Sequence, residues 1–324
     1  MFSSTVSSGD AGDPLLTCAM HRQFALLLLV LVISIMTGCL EVHQQFTINP
    51  DRSAKVRVKL AFNLELLERV EAETGIDMKN EAHEAEATMR NLARQCIATA
   101  TGVDAWTDYS MEIRPRESIT VWMTAYVPEV THFKLNPNNG DIPNMTLRVA
   151  RNTGSEETWS VILPGLNDRK PSEKEPLQAL NREELAEVLQ ERRTQFDEES
   201  AESKVLFESL KITSAMRFPG KVTKTSNATR TSPQEATVSF EGKRFYAMME
   251  KILADDQLAP KAFRNGAELH SSLTLPGDQI NAWLFGEKAP VSVTVAPGVR
   301  ALFDYEKELA AAKASPPPEF PEDE

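Results

Sequence analysis

Residues 42–62 read VHQQFTINPDRSAKVRVKLAF, and this stretch decides the fold class. Val42, Gln44, Phe46 and Ile48 alternate along its first half, and Val56, Val58, Leu60 and Phe62 along its second. Between them stands Asn49-Pro50-Asp51-Arg52-Ser53, a run of turn-forming residues. Side chains of an extended chain point to opposite faces in turn, so this pattern spells a β-hairpin with one face in a core. Lys55, Arg57 and Lys59 then fall on the other face, in solvent.

The same signals recur outward from the hairpin. Asn63 is placed to cap a short helix carrying Leu64, Leu67 and Val70 and ending at Gly75. Ala82, Ala85, Met89, Leu92, Ala93 and Cys96 then recur at helical spacing against a charged face. Strand alternation returns at 103–113 and 119–127, and a further hairpin joins 145–149 to 159–163 across Asn152-Thr153-Gly154-Ser155. Asn181 with Glu184 three residues on forms a capping box that opens a helix to about Ser200. Strands are expected in 207–240, a helix from Lys243 to about Asp255, and a strand near Leu269 to Leu275. A short helix with Ile280, Trp283 and Leu284, a strand over 291–295 and a last helix from about Val299 complete the chain. The class is α+β: antiparallel β-hairpins in sheet, with several helices packed on one side. Pro164-Gly165, Pro219-Gly220, Pro276-Gly277 and Pro297-Gly298 each read as a turn in which glycine supplies a positive φ.

Upstream of the first hairpin, FALLLLVLVISIM at 24–36 carries no charge and sits behind Arg22. That is the apolar region of a signal peptide, and it stops short of the roughly 20 residues a spanning helix needs. Met36-Thr37-Gly38-Cys39 follows and resembles the lipobox of bacterial lipoproteins, in which the cysteine is acylated and becomes the mature N-terminus. The resemblance implies a cut before Cys39, lipid on Cys39, and a domain held on the outer side of a membrane, periplasmic or extracytoplasmic. Met36 stands where Leu is usual and Thr37 where Ala or Ser is usual. Leu40 after the cysteine, where Asp would signal retention, favours the outer membrane if there are two. Asp10 and Asp13 are out of place in a signal peptide's basic start, so Met20 is the expected translation start.

These readings divide the chain into a signal peptide at 1–38 and an N-terminal part of the ectodomain at 39–166. A polar linker at 167–180, a C-terminal α+β part at 181–312 and a Pro-rich acidic tail at 313–324, expected to be disordered, follow. Acylation of Cys39 and loss of Cys18 leave Cys96 alone, on an apolar stripe, as a buried hydrophobe with no disulfide partner. A net charge of -12 disfavours nucleic acid and repels an anionic bilayer, so lipid must supply the attachment. The segments FTINPDRSAKVRV and RFPGKVTKTSNAT are similar to those of sheet-rich envelope lipoproteins, which implies an ectodomain of this class and no activity.

Chemistry leaves little trace. His43, His83, His132 and His270 sit on unrelated elements, and His83-Glu84 lacks a second histidine because Ala87 stands in its place. No nucleophile elbow, phosphate loop or dinucleotide fingerprint occurs. No catalytic residue, metal ligand or cofactor site is therefore expected. Trp122 and Tyr126 fall on the face of their strand opposite Val121 and Met123, either as an exposed aromatic contact surface or under a second packed layer. The chain reads as an anchored binding or assembly module whose partner is another envelope protein or lipid. The alternative is a lipid-anchored hydrolase whose carboxylates converge only in the fold.

Overall fold

A computed structural model of the chain describes residues 40–65, 79–135, 145–152, 155–163, 181–198, 204, 209–262 and 275–315. The expected helix after Asn63 and the strand near 269–275 lie largely outside these residues, as do Cys39, His270, the 167–180 linker, Pro164-Gly165 and nearly all of the tail.

The opening hairpin is strand β1, Leu40–Ile48, paired antiparallel to β2, Ala54–Asn63. Phe46 stands opposite Val56, and the inward residues Val42, Gln44, Phe46, Ile48, Val56, Val58, Leu60 and Phe62 are all fully buried. The turn is locked by its own side chains. Asp51 Oδ1 accepts from the Ser53 N–H at 3.0 Å and from Ser53 Oγ at 2.7 Å, while Arg52 takes the left-handed conformation at φ 71°.

Helix α1, Lys79–Thr99, lays Ala85, Met89, Ala93 and Cys96 against the inner face of β2 and of β4, Ser118–Val127. Strand β3, Ala105–Arg114, pairs with β4 and is interrupted between Thr107 and Ser110, where Asp108 has φ 55°. Strands β5, Thr146–Arg151, and β6, Glu157–Ile162, form the next hairpin. Helix α2 spans Arg182–Glu198. Its capping box is complete: the Asn181 N–H donates to Glu184 Oε2 at 2.9 Å, and Asn181 Oδ1 accepts from the N–H groups of Glu183 and Glu184.

Four strands follow: β7, Lys211–Arg217; β8, Val222–Ser226; β9, Thr229–Ser232; and β10, Glu235–Glu241. Helix α3, Gly242–Ala254, packs on β10 with the one-turn α4, Ala259–Ala262, and with α5, Gly277–Phe285. Strand β11, Ser292–Val295, and helix α6, Tyr305–Ala314, end the described chain.

The strands make a seven-stranded sheet, β3-β4-β2-β1-β7-β10-β9, and a four-stranded sheet, β5-β6-β11-β8. All pairs are antiparallel except β1 with β7, which runs parallel with Val42 opposite Ile212. This is the expected α+β class. One hydrophobic cluster joins the inner faces of both sheets to α1, α3 and α5, with Trp159 and Phe218 meeting across it at 5.5 Å. Helix α6 packs instead on the outer face of the large sheet.

Two expectations are corrected. The last helix starts at Tyr305 rather than near Val299, because residues 302–303 give their backbone hydrogen bonds to the Asn49 side chain and Asp304 caps the helix, its side chain accepting from the Lys307 N–H at 3.1 Å. Among the described Pro-Gly pairs, no glycine has a positive φ. Gly277 simply opens α5. Gly220 and Gly298 are required by a backbone crossing: a Cβ on Gly220 would overlap the Ala296 carbonyl, and one on Gly298 would overlap Pro219. Absence of a side chain, not conformational freedom, is what these two positions need.

Candidate functional site

The alternation that buries one face of the large sheet leaves the other to solvent over most of its width. Its outward side chains form cross-strand rows fixed by the register. Thr124, Arg57, Gln45, Ala215 and Thr237 make one row, and Trp122, Lys59, His43, Thr213 and Ser239 the next. Both rows are polar apart from Trp122 and Ala215.

Trp122 is half-buried because two cations lie over it. The Arg57 guanidinium is 4.5 Å from its ring centroid and Lys59 Nζ is 5.7 Å away. Each stands one strand over, on β2, where the antiparallel register places Lys59 directly opposite Trp122. The ring's negative face attracts both charges and keeps the aromatic surface covered while leaving exposed Arg57 available. Lys59 also reaches Glu41 at 3.4 Å. His43 beside it is held neutral further down in pH than usual, first by burial and then by Lys59 and Lys211.

Tyr126, at the far end of the same strand, is 6% exposed. Helix α6 covers it with Tyr305, Leu309 and Ala312. Its hydroxyl donates to Glu308 Oε2 at 3.0 Å, and Lys55 Nζ meets the same oxygen at 2.7 Å. Burial and the Glu308 carboxylate push the Tyr126 phenol well above its ordinary range. Of the two aromatics singled out from sequence, the structure therefore leaves Trp122 at the surface and gives Tyr126 to an internal contact. Asn49, read from the sequence only as a turn residue, ties this layer down: its Nδ2 donates to the Phe303 carbonyl at 3.2 Å, and its Oδ1 accepts from the Leu302 N–H at 2.8 Å.

Other places offer less. An open depression of about 440 Å³ lies between α3 and α5, lined by Lys251, Leu258, Asp278, Trp283 and Lys288. Lys251 sits over the Trp283 ring there at 5.1 Å. Among the described residues no cluster of His, Cys, Asp and Glu is placed to hold a metal ion, and no helix is long and apolar enough to cross a membrane. Cys96 is fully buried and its thiol is pushed up to about 12 by that burial. Gln44 is fully buried in the sheet, accepting from Ser214 Oγ at 3.2 Å with its amide nitrogen unpaired. Leu40, the residue after Cys39, is 2% exposed and belongs to the core.

No family model matches the chain, and no curated protein matches it. Among solved structures it is similar to the NMR structure of the folded domain of the Mycobacterium tuberculosis LppM protein. The likeness has 12% identity and a TM-score of 0.27, over 63% of this chain and 84% of that one.

Proposed function

We propose that the chain is an envelope lipoprotein, cut before Cys39 and held by diacylated Cys39 on the outer side of a membrane. Its anchored domain offers the open face of the large sheet to another envelope component. The observation that carries the anchor is the position of β1. The strand begins at Leu40, directly after Cys39, and stands in the middle of the seven-stranded sheet. An acyl chain on Cys39 suspends the sheet from its central strand. Two acyl chains suffice for stable attachment where one does not.

The binding reading rests on the polar rows around Arg57 and Trp122, in which Arg57, Gln45 and Ser239 are exposed. An arginine held over a tryptophan is a pre-ordered contact residue, since little side-chain freedom is left to lose on binding. Another envelope protein with acidic groups fits this face better than lipid does, because the rows carry Thr, Ser and Gln rather than apolar side chains.

Labelled fatty acid tests the anchor: Cys39→Ser should abolish incorporation and leave the precursor uncut, and labelled mutant protein refutes the assignment. A photo-reactive residue at Gln45 tests the face. It should give in intact cells a protein adduct that Arg57→Glu removes, and an adduct indifferent to that change moves the contact elsewhere.

A further inference from the structure

We propose that the tip of the β3–β4 hairpin, led by Ile113 and Pro115, is a second contact with the bilayer that holds Cys39. This rests on the anchored reading given above.

The argument is one of register. Leu40 pairs with Phe62, Phe62 with Ile119, and Ile119 with Ile113. These four apolar residues form one cross-strand row on the inner face of the sheet. The first three are buried, at 2%, 1% and 2% exposure, while Ile113, on the edge strand, is 45% exposed. Ile113 and Val299 are the only large apolar side chains left exposed among the described residues. Val299 lies at the other end, beyond the Pro219-Gly220 crossing, so among the described residues the row that starts beside the anchor holds the one large exposed aliphatic at this level.

Adjacent strands are roughly 4.8 Å apart, so three steps put Ile113 about 14 Å from Leu40 along the row. Cys39 adds at most about 3.6 Å. Sheet twist turns the direction of the row and leaves its length unchanged. Beyond Ile113 the chain goes further toward the anchor side: Arg114 pairs with Ser118, which pairs with Asn63, one residue past the row of Leu40. Pro115 and Arg116 project past even that and are exposed. The turn is held, since the Glu117 N–H donates to the Arg114 carbonyl at 3.0 Å and its own carbonyl accepts from the Leu64 N–H at 2.9 Å.

Charge does not oppose contact at this tip. The chain carries a net charge of -12, which an anionic surface repels. At the tip Glu112 and Glu117 are matched by Arg114 and Arg116, with Arg114 Nε 2.9 Å from Glu112. The tip is thus neutral, with an apolar side chain at its shoulder. Such a contact is too small to hold a soluble protein on a membrane. It suffices when the lipid on Cys39 has already brought the surface within reach, because the second event is then intramolecular. Its effect is to orient the domain with the strand ends at Leu40 and Arg114 toward the lipid.

The test uses the full chain made in cells, with a benzophenone amino acid at position 113 or, in a second strain, at Asn152 in the β5–β6 turn. Both positions carry the same added apolar bulk, so any bias it introduces is shared. The mass of the mature N-terminus is read in parallel. Acylated Cys39 with a phospholipid adduct at 113 and none at 152 is the expected result. Acylated Cys39 with no adduct at 113, or with equal adducts at both, overturns the hairpin contact and leaves the anchor standing. An unacylated chain still held by its apolar run and giving the 113 adduct keeps the contact and removes the lipoprotein reading. A chain released from the membrane overturns both.

Discussion

Asn49→Ala is the substitution whose effect the structure defines best. The side chain is 4% exposed and makes three hydrogen bonds: to Ser53 Oγ at 3.1 Å, to the Phe303 carbonyl at 3.2 Å, and from the Leu302 N–H at 2.8 Å. A hydrogen bond of this kind contributes about 1 kcal/mol net, and a donor left without a partner costs more. Leu302 and Phe303 are half-buried, so water re-satisfies part of what is lost. The expected loss is about 2–3 kcal/mol, read as a lower urea midpoint with an unchanged slope. The loss should also be local. The 302–314 segment is otherwise held on the outer face by Lys55 to Glu308 and by Tyr305 donating to Asp104 Oδ2 at 3.1 Å, so the Leu302 amide should exchange faster than amides in β1. A loss below about 0.5 kcal/mol with unchanged Leu302 exchange would refute the reasoning, since that is the range of surface changes away from such features.

Four further outcomes are expected. Gly220→Ala forces two backbones apart and should cost at least about 1–3 kcal/mol by thermal melting, and combining it with Gly298→Ala should cost less than the sum, since both act at one crossing; simple additivity would contradict this. Cys96, with its thiol near 12, is thiolate in roughly one part in 10⁴ at pH 8, against about one in 10 for a thiol at 9.0, so modification of the native chain should wait on unfolding, and rapid labelling would show an accessible stripe. Its raised value also sets an alkaline limit: the stability from a protonated Cys96 is complete below pH 9.0 and lost as pH rises toward about 12, with Tyr126 and Tyr305 acting in the same direction, and a flat circular-dichroism signal and urea midpoint across that window would contradict it. His43 has the opposite sign, since its lowered value gives stability present above pH 6.5 and lost as pH falls through the folded value; His43→Gln should flatten that limb of the urea midpoint against pH.

Where a segment's partner lay close in sequence, the sequence was readable. The 42–62 hairpin, the 145–163 hairpin and the Asn181-Glu184 box all depend on residues within a few positions of one another, and each appears as expected. Features decided by distant partners were not readable. Nothing in VHQQF names Ile212 or Ser214 as neighbours, so the parallel β1–β7 pairing had no local signal. Val299 to Phe303 looks helical on its own, and it is the distant Asn49 that holds the chain extended there. Gly220 and Gly298 looked like turn glycines because a crossing and a turn use the same residue. At the surface, Trp122 and Tyr126 were indistinguishable as a strand pattern, and only the path of α6 separates them.

The parallel pairing of β1 with β7 also imposes an order on assembly. Gln44 and Ser214, buried together in that pairing, are 170 residues apart in sequence. Once made, β1 can meet β2 at once, yet its other edge has no partner in the described sheet until about half the chain has followed. Contacts this remote in sequence form slowly, because the intervening chain must first be closed into a loop. Through that interval the middle of the future sheet is an open edge rich in Val, Phe and Ile, the kind of edge that recruits a strand from another molecule. Only the arrival of Lys211–Arg217 closes that edge, beside Glu41 to Thr47 of β1.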